Sequence, residues 1–366
     1  MSNVDKMKEA LLPEEVTSGF ETSGTLVYAA PLGDGHINRT YMLSFDDGGR
    51  INYYVFQRIN TNVFKRPDEL MDNVVRVTEH IRAKAPEHGL DPERATIEFV
   101  RSKSGGYLHK DGSGCWRAYR FIDDCVCYER VEKAEDFEKA GYALGIFQKM
   151  LSDFPADKLI ETIPNFHNTV SRMKDFRKII EADPEGRLSG CMDEVRFVLD
   201  RENYCSRVLD KIGSGEVPIR VTHNDTKLNN FLMDKKTGEV LCLIDLDTVM
   251  PGSALYDFGD SIRFGASSAA EDEKDLLKVN FVPELYDAYR RGYMRGAGDV
   301  LTRAEVELLP FSGILMTYEC GMRFLGDYID GDHYFATARP GHNLDRARTQ
   351  FKLVKDMEAY FGISAN

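Results

Sequence analysis

The chain has 366 residues and 42% hydrophobic content, enough for two lobes with a sizeable core and too apolar for a wholly disordered protein. A formal charge of −13 with a pI near 5.2 argues against a nucleic-acid surface, because a phosphate backbone would be repelled. No run of about 18 apolar residues offers a membrane span, no long apolar leader opens the chain, and the seven cysteines form no Cys-x-x-Cys pair, so a reduced cytoplasmic protein is expected.

In chain order, Gly24-Thr-Leu-Val-Tyr-Ala-Ala-Pro, Tyr41-Met-Leu-Ser-Phe and Ile51-Asn-Tyr-Tyr-Val-Phe-Gln read as three strands. The first two are joined by the polar turn Gly33-Asp34-Gly35-His36-Ile37-Asn38. Gly33 and Gly35 would let the backbone approach phosphates, although the segment by itself is equally a plain hairpin turn. Leu70, Val74, Val77 and Ile81 recur at helical spacing, and Pro86 with Gly89 marks the exit. A further strand from Cys115 runs into Phe121 and Ile122, which approach a hinge and are candidates for holding a nucleotide. From Phe137 the periodicity turns helical, with later helices expected over 192–212, 274–296 and 304–330. The expected fold is α+β and bilobal: a sheet-rich N-terminal lobe, residues 1–124, a mainly helical C-terminal lobe, residues 125–366, and a cleft near 122–136.

His223-Asn224-Asp225 is followed five residues after the aspartate by Asn230, and then by Asp245 at the far end of an apolar hairpin turning at Gly238. Phosphoryl transfer needs a carboxylate to orient an alcohol and take its proton, and magnesium ligands beside it. Asp225 fits the base, Asn230 a neutral oxygen ligand and Asp245 the charged ligand. A structural alternative has His223, Asp225 and Asn230 merely building a turn. The literal Asp257-Phe-Gly is not expected to ligate metal, because Pro251-Gly252 has already turned the chain; Asp257 is a better acceptor for backbone N–H groups of the catalytic loop, or a helix cap. Protein kinases carry an ATP-positioning lysine on their third strand. Here that strand reads Tyr53-Tyr-Val-Phe-Gln57-Arg58-Ile59, which leaves Gln57 or Arg58 to meet phosphate.

These segments resemble the aminoglycoside phosphotransferase/choline kinase superfamily, and closely the N-acetylhexosamine 1-kinases within it, over roughly residues 20–360. The resemblance rests on Gly33-Asp-Gly-His-Ile-Asn38, Val221-Thr-His-Asn-Asp-Thr-Lys-Leu-Asn-Asn230, Ile244-Asp-Leu-Asp-Thr-Val-Met-Pro-Gly-Ser253, Asp257-Phe-Gly-Asp-Ser-Ile-Arg-Phe-Gly265 and Glu319-Cys-Gly-Met-Arg-Phe324. It implies a protein-kinase-like fold that moves the γ-phosphoryl group of ATP, with Mg2+, to the anomeric hydroxyl of N-acetylglucosamine or N-acetylgalactosamine. It further implies Asp225 as base, Asn230 and Asp245 as magnesium ligands, Asp247 as helper for a second metal, and His36, Phe264, Arg323 and Tyr334 in the sugar pocket. No nucleic acid, membrane or obligate protein partner is indicated. A kinase for another small alcohol, or a silent kinase-like scaffold suggested by the absent lysine, are the alternatives.

Overall fold

The computed structural model describes residues 12, 14–33 and 37–365. A short helix α1 (Glu14–Ser18) precedes strands β1 (Thr25–Pro31), β2 (Arg39–Asp47) and β3 (Arg50–Ile59). Helix α2 (Pro67–Lys84) follows, and then β4 (His109–Asp111) and β5 (Gly114–Arg120). The five strands form one antiparallel sheet in the order β1-β2-β3-β5-β4. Both faces of β3 are apolar. Tyr54 and Phe56 share one face with Trp116 and Ala118, packed on Val16 and Phe20. Ile59 shares the opposite face with Cys115 and packs towards Leu70, Val74 and Val77 of α2.

Residues 121–124 lead from this sheet to β6 (Cys125–Val126), after which helices dominate. These are α3 (Ala134–Met150), α4 (Thr169–Ala182), α5 (Met192–Leu199) and α6 (Arg207–Gly213). Four short strands interrupt them: β7 (Arg220–Thr222), β8 (Phe231–Asp234), β9 (Val240–Leu243) and β10 (Met250–Gly252). The chain closes with α7 (Ala254–Gly265), α8 (Pro283–Ala297), α9 (Arg303–Asp330) and α10 (His342–Phe361). Strand β8 pairs with both β6 and β9, and β7 with β10, so the small sheets lie at the junction of the two halves. Helices α3 and α8 meet along a glycine seam. A methyl group on Gly141, Gly145, Gly292 or Gly296 would collide with the opposite backbone, which lets the two helices approach more closely than side chains permit.

Two helices differ from the periodicity. The single helix expected over 192–212 is split by a 3-10 turn at Glu202–Tyr204, because Arg201 and the Tyr204 hydroxyl both bond the Glu358 carboxylate, and this tertiary demand overrides local propensity. The helix expected from 274 begins at Pro283, whose ring pre-sets the first-turn φ; Ser267 and Phe281 instead form a β-bridge. Among the described residues, no helix is long and apolar enough to cross a membrane, and all seven cysteines are free thiols.

Candidate active site

Strand β7 leads into His223, whose ring ties the loop to the neighbouring hairpin. Its Nδ1 accepts the Asp225 N–H at 3.3 Å, and Nε2 then donates to the Ile244 carbonyl at 2.9 Å. From α7 the buried Asp257 carboxylate receives the N–H groups of His223 at 2.9 Å and Asn224 at 2.7 Å. Asp260, one turn on, receives the Thr226 N–H at 3.1 Å. Asp257 therefore holds the loop by its backbone, as its sequence context suggested, and the cap of α7 is Ser253. Burial raises the Asp257 carboxyl above its ordinary range, partly offset by His223 and the two backbone N–H groups.

The segment after Asn230 is the expected hairpin. Phe231 pairs with Leu243, and the Ile244 N–H reaches the Asn230 carbonyl at 2.9 Å, which brings Asn230 and Asp245 to the same open end. The Asn230 amide donates to the Asp225 carbonyl at 2.7 Å and to Asp225 Oδ2 at 3.1 Å, while Lys227 Nζ lies 3.1 Å from Asp225 Oδ1. Burial alone would lower the Lys227 ammonium, but Asp225 raises it on balance. Both Asn224 and Asp245 have left-handed backbones, φ 64° and 60°, a strained conformation for non-glycine residues that concentrates at functional sites.

Among the described residues, no hydrogen bond or ion pair engages the Asp245 carboxylate, although it shares the cleft with Asp225 and Asp247. Burial within the cleft first, then the charges of Asp247 and Asp225, push it up to about 6, but the residue is exposed to solvent, which screens this shift. An unpartnered carboxylate next to an asparagine that has committed only its amide N–H is a donor set suited to magnesium. That ion is commonly held by one or two carboxylates plus substrate phosphates. No group of three or more His, Cys, Asp or Glu side chains among the described residues could hold a metal unaided.

Strand alternation separates the two residues expected to meet phosphate. Gln57 lies opposite Thr40 and Arg117 on the face turned to the second half of the molecule, whereas Arg58 lies opposite Arg39 and Trp116 on the other face, beside Gly114. Gln57 is occupied by Arg117, whose Nε and Nη2 reach its Oε1 at 3.0 and 2.8 Å. Arg117 and Asn38 were not singled out from sequence. They are bound to Asp247: Arg117 Nη1 lies 2.5 Å from Oδ1, and Asn38 Nδ2 lies 2.6 Å from Oδ2. Gly33 has φ 69°, as a tight turn requires, while Gly35 and His36 lie outside the described residues. At the hinge, Phe121 donates its N–H to Tyr53 and sets its ring 6.4 Å from that of Tyr53. Ile122 is buried, with its carbonyl accepting from Cys125 Sγ.

On α9, Arg323 meets Tyr334 at 3.4 Å and stands 5.3–6.0 Å from the ring centres of Phe335, Tyr334 and Phe166. It has no carboxylate partner among the described residues, so the salt bridge expected of an ordinary arginine is missing. Asp327 fixes the segment that carries Tyr334 by accepting the N–H groups of Tyr334 and Phe335. One turn before Arg323, Glu319 accepts from Thr169 at 2.5 Å and bonds His167 at 2.9 Å. Burial alone would raise the Glu319 carboxyl, but His167, Arg172 and Thr169 hold it down at about 2. Phe264 makes no ring contact or hydrogen bond with Arg323 or Tyr334. It lines a cavity of about 390 Å³ with Arg130, Arg263, Glu271 and Gln350.

The Asp225 loop, the Asn230 amide and the Asp245 carboxylate thus lie together at the mouth of the hairpin, opposite the antiparallel sheet. The model of the APH phosphotransferase enzyme family matches residues 29–307. The chain belongs to that family. The solved structure of a microcompartment-associated aminopropanol kinase superposes with a TM-score of 0.63 at 16% identity, covering 96% of this chain and 98% of that one. An ADP-bound aminoglycoside phosphotransferase gives 0.51 at 12%, covering 91% and 95%. Choline kinase from Cryptosporidium parvum gives 0.54 at 14%, covering 92% and 91%. At these identities the likeness establishes the fold, and this phosphotransferase has the protein-kinase-like architecture expected from its motifs.

Proposed function

We propose that this phosphotransferase moves the γ-phosphoryl group of ATP to the anomeric hydroxyl of N-acetylglucosamine or N-acetylgalactosamine, releasing ADP and the sugar 1-phosphate. The observation that carries the reaction is the partnerless Asp245 carboxylate beside Asn230 and Asp225. Asn230 and Asp245 would hold Mg2+, which when bound neutralises phosphate oxygens. Asp225, oriented by Asn230 and Lys227, accepts the proton of the sugar hydroxyl as its oxygen bonds phosphorus and the bond to ADP breaks. The ADP-bound state of a relative with this fold supports the choice of donor.

The acceptor is argued from Arg323. Rings that could cage a cationic alcohol such as choline already surround this guanidinium. Burial first and then the Arg323 guanidinium lower Arg172, and two neighbouring guanidiniums disfavour a polycationic aminoglycoside as well. A neutral amino sugar, with hydroxyl and acetamido oxygens for Arg323 and a ring face for Tyr334, suits that surface. The lobes at 1–124 and 125–366 and the sugar role of Phe264 and His36 are part of the same reading.

Phosphorus-resolved product analysis tests it, using both N-acetylhexosamines, neutral sugars, choline and an aminoglycoside. The expected product is a 1-phosphate. Transfer only to C6 keeps the kinase and rejects the position; transfer to choline alone rejects the sugar. Gln57 in place of the lysine supports the rival silent scaffold, for which no acceptor would consume ATP.

A further inference from the structure

We propose that Arg117 is a positioning residue for phosphoryl transfer: acting through Asp247, it clamps the turn that carries Asp245 to the sheet and supplies the coupling that protein kinases obtain from a strand lysine. The inference rests on the reading of Asp245 as a metal ligand.

On the face of β3 turned to the second half of the molecule stands Gln57, and Arg117 is its cross-strand neighbour on the same face. The Gln57 amide is oriented by donating to Thr40 at 3.0 Å, which turns its oxygen to the Arg117 fork. The remaining Arg117 nitrogen, Nη1, crosses to the second half of the molecule, where it pairs as an ion with Asp247 Oδ1 at 2.5 Å without hydrogen-bond geometry, while its hydrogen bond goes to Met71 Sδ at 3.8 Å. Arg117 is 3% exposed and Asp247 4%. In protein kinases the lysine pairs with a glutamate of the following helix, and both must be in place for catalysis. Helix α2 offers no such partner, since Asp68, Glu69 and Asp72 pair with Lys110, Arg66 and Arg76, and Glu79 bonds Tyr107. The buried ion pair has moved from that helix to the turn itself.

Asp245 and Asp247 flank the buried Leu246, yet their surroundings are opposite. Each Asp247 oxygen is met by a group from the sheet half, Arg117 or Asn38, and the Asn38 oxygen in turn receives the Asn60 N–H. Asp245 is bare. The same turn is fastened to the catalytic loop by Thr248 Oγ1 on the His223 carbonyl, and to α2 by Asn73 on the Val249 carbonyl. Arg117–Asp247 is therefore, with Asn38–Asp247 and Asn73–Val249, one of the contacts through which the sheet half sets where the strained Asp245 stands, and the one that carries charge. A buried ion pair contributes little net stability compared with apolar residues of similar volume, so its value here lies in register.

Three proteins separate position from stability: Arg117→Lys, Arg117→Met, and the double variant Arg117→Met/Asp247→Leu. Each is measured for unfolding midpoint without ligands, for Mn2+ affinity in the presence of ADP by loss of the free-ion paramagnetic resonance signal, and for kcat and KM with ATP and N-acetylhexosamine. Arg117→Met should unfold earlier, because Asp247 is left charged and buried. The double variant should regain the midpoint yet keep weakened Mn2+ binding, with kcat lower by on the order of tenfold to a hundredfold. Arg117→Lys keeps the charge without the fork and should recover only part of both losses. A double variant with wild-type Mn2+ affinity and kcat would reduce the pair to a structural one. If that variant fails to fold, unchanged Mn2+ affinity and kcat in Arg117→Lys overturns the proposal equally. Asp245→Asn is the control: unchanged Mn2+ binding there defeats the metal-ligand reading itself, whereas a loss there with none in the Arg117 variants defeats the clamp alone.

Discussion

The Asp225 loop and the stretch of α9 around Arg323 each place a half-buried side chain beside a buried acid, but they do so by different means. In the loop, Asp257 and Asp260 grip backbone N–H groups from a separate helix, which leaves the Asp225 carboxylate to Asn230 and Lys227. On α9, Glu319 and Arg323 stand one turn apart on the same helix, and Glu319 is tied to side chains of the segment before and within α4. Position in the first region is a long-range property of the fold, while in the second it is local helical geometry. Loop substitutions should therefore disturb chemistry, and those on α9 should divide into stability at Glu319 and recognition at Arg323.

The largest effect is expected at Asp225. Asp225→Asn keeps a hydrogen bond but cannot readily take the acceptor proton, so turnover should fall on the order of 100-fold or more while ATP affinity changes little. Steady-state kinetics with nucleotide calorimetry would check this, and near-normal turnover would break the first half of the comparison. Glu319→Gln comes next. A carboxyl depressed to about 2 gives stability that is fully present above its unfolded value near 4.5 and is lost as pH falls towards 2. The substitution should cost about 3 kcal/mol at neutral pH and flatten the stability curve across that acid window, measured by denaturant titration. A variant with the wild-type slope would place the acid sensitivity elsewhere.

A smaller loss is expected for Asp257→Asn, which presents an amide to two backbone N–H groups and should cost about 2 kcal/mol while also depressing kcat. Lost stability with intact kcat would show that the loop keeps its shape without this grip. The smallest effect belongs to Arg323→Ala, with a rise in sugar KM of about tenfold and unaltered ATP binding. Arg323→Lys should recover little, since a compact ammonium lacks the planar fork. Equal weakening of sugar and ATP would assign Arg323 to the scaffold.

What could be read in advance follows the same division. The Asn230-to-Asp245 hairpin was legible because alternating apolar residues and Gly238 define it locally, and the role of Asp257 because Pro251-Gly252 separates it from the metal strand. Helix ends were less legible where a tertiary partner intervened, as at Arg201 and Tyr204 with Glu358. Arg117 and Asn38 carried no local signal, since Asn38 meets Asp247 across 209 residues of chain. Gln57 and Arg58 could not be told apart by alternation, because β3 is buried by apolar residues on both faces and the pattern has no parity to read. Arg323 is picked out by the family resemblance alone, and the rings around it, with no carboxylate partner among the described residues, are a tertiary feature that no local pattern shows.

The left-handed backbone at Asp245 has an evolutionary consequence. An aspartate there bears about 1 kcal/mol of conformational strain and sits among like charges, whereas glycine would relieve both. Selection for a stable fold and selection for the carboxylate thus pull this position in opposite directions. If Asp245 holds the metal as proposed, a descendant released from phosphoryl transfer would gain stability through the very substitution that ends its chemistry, and glycine at this turn would mark it as silent.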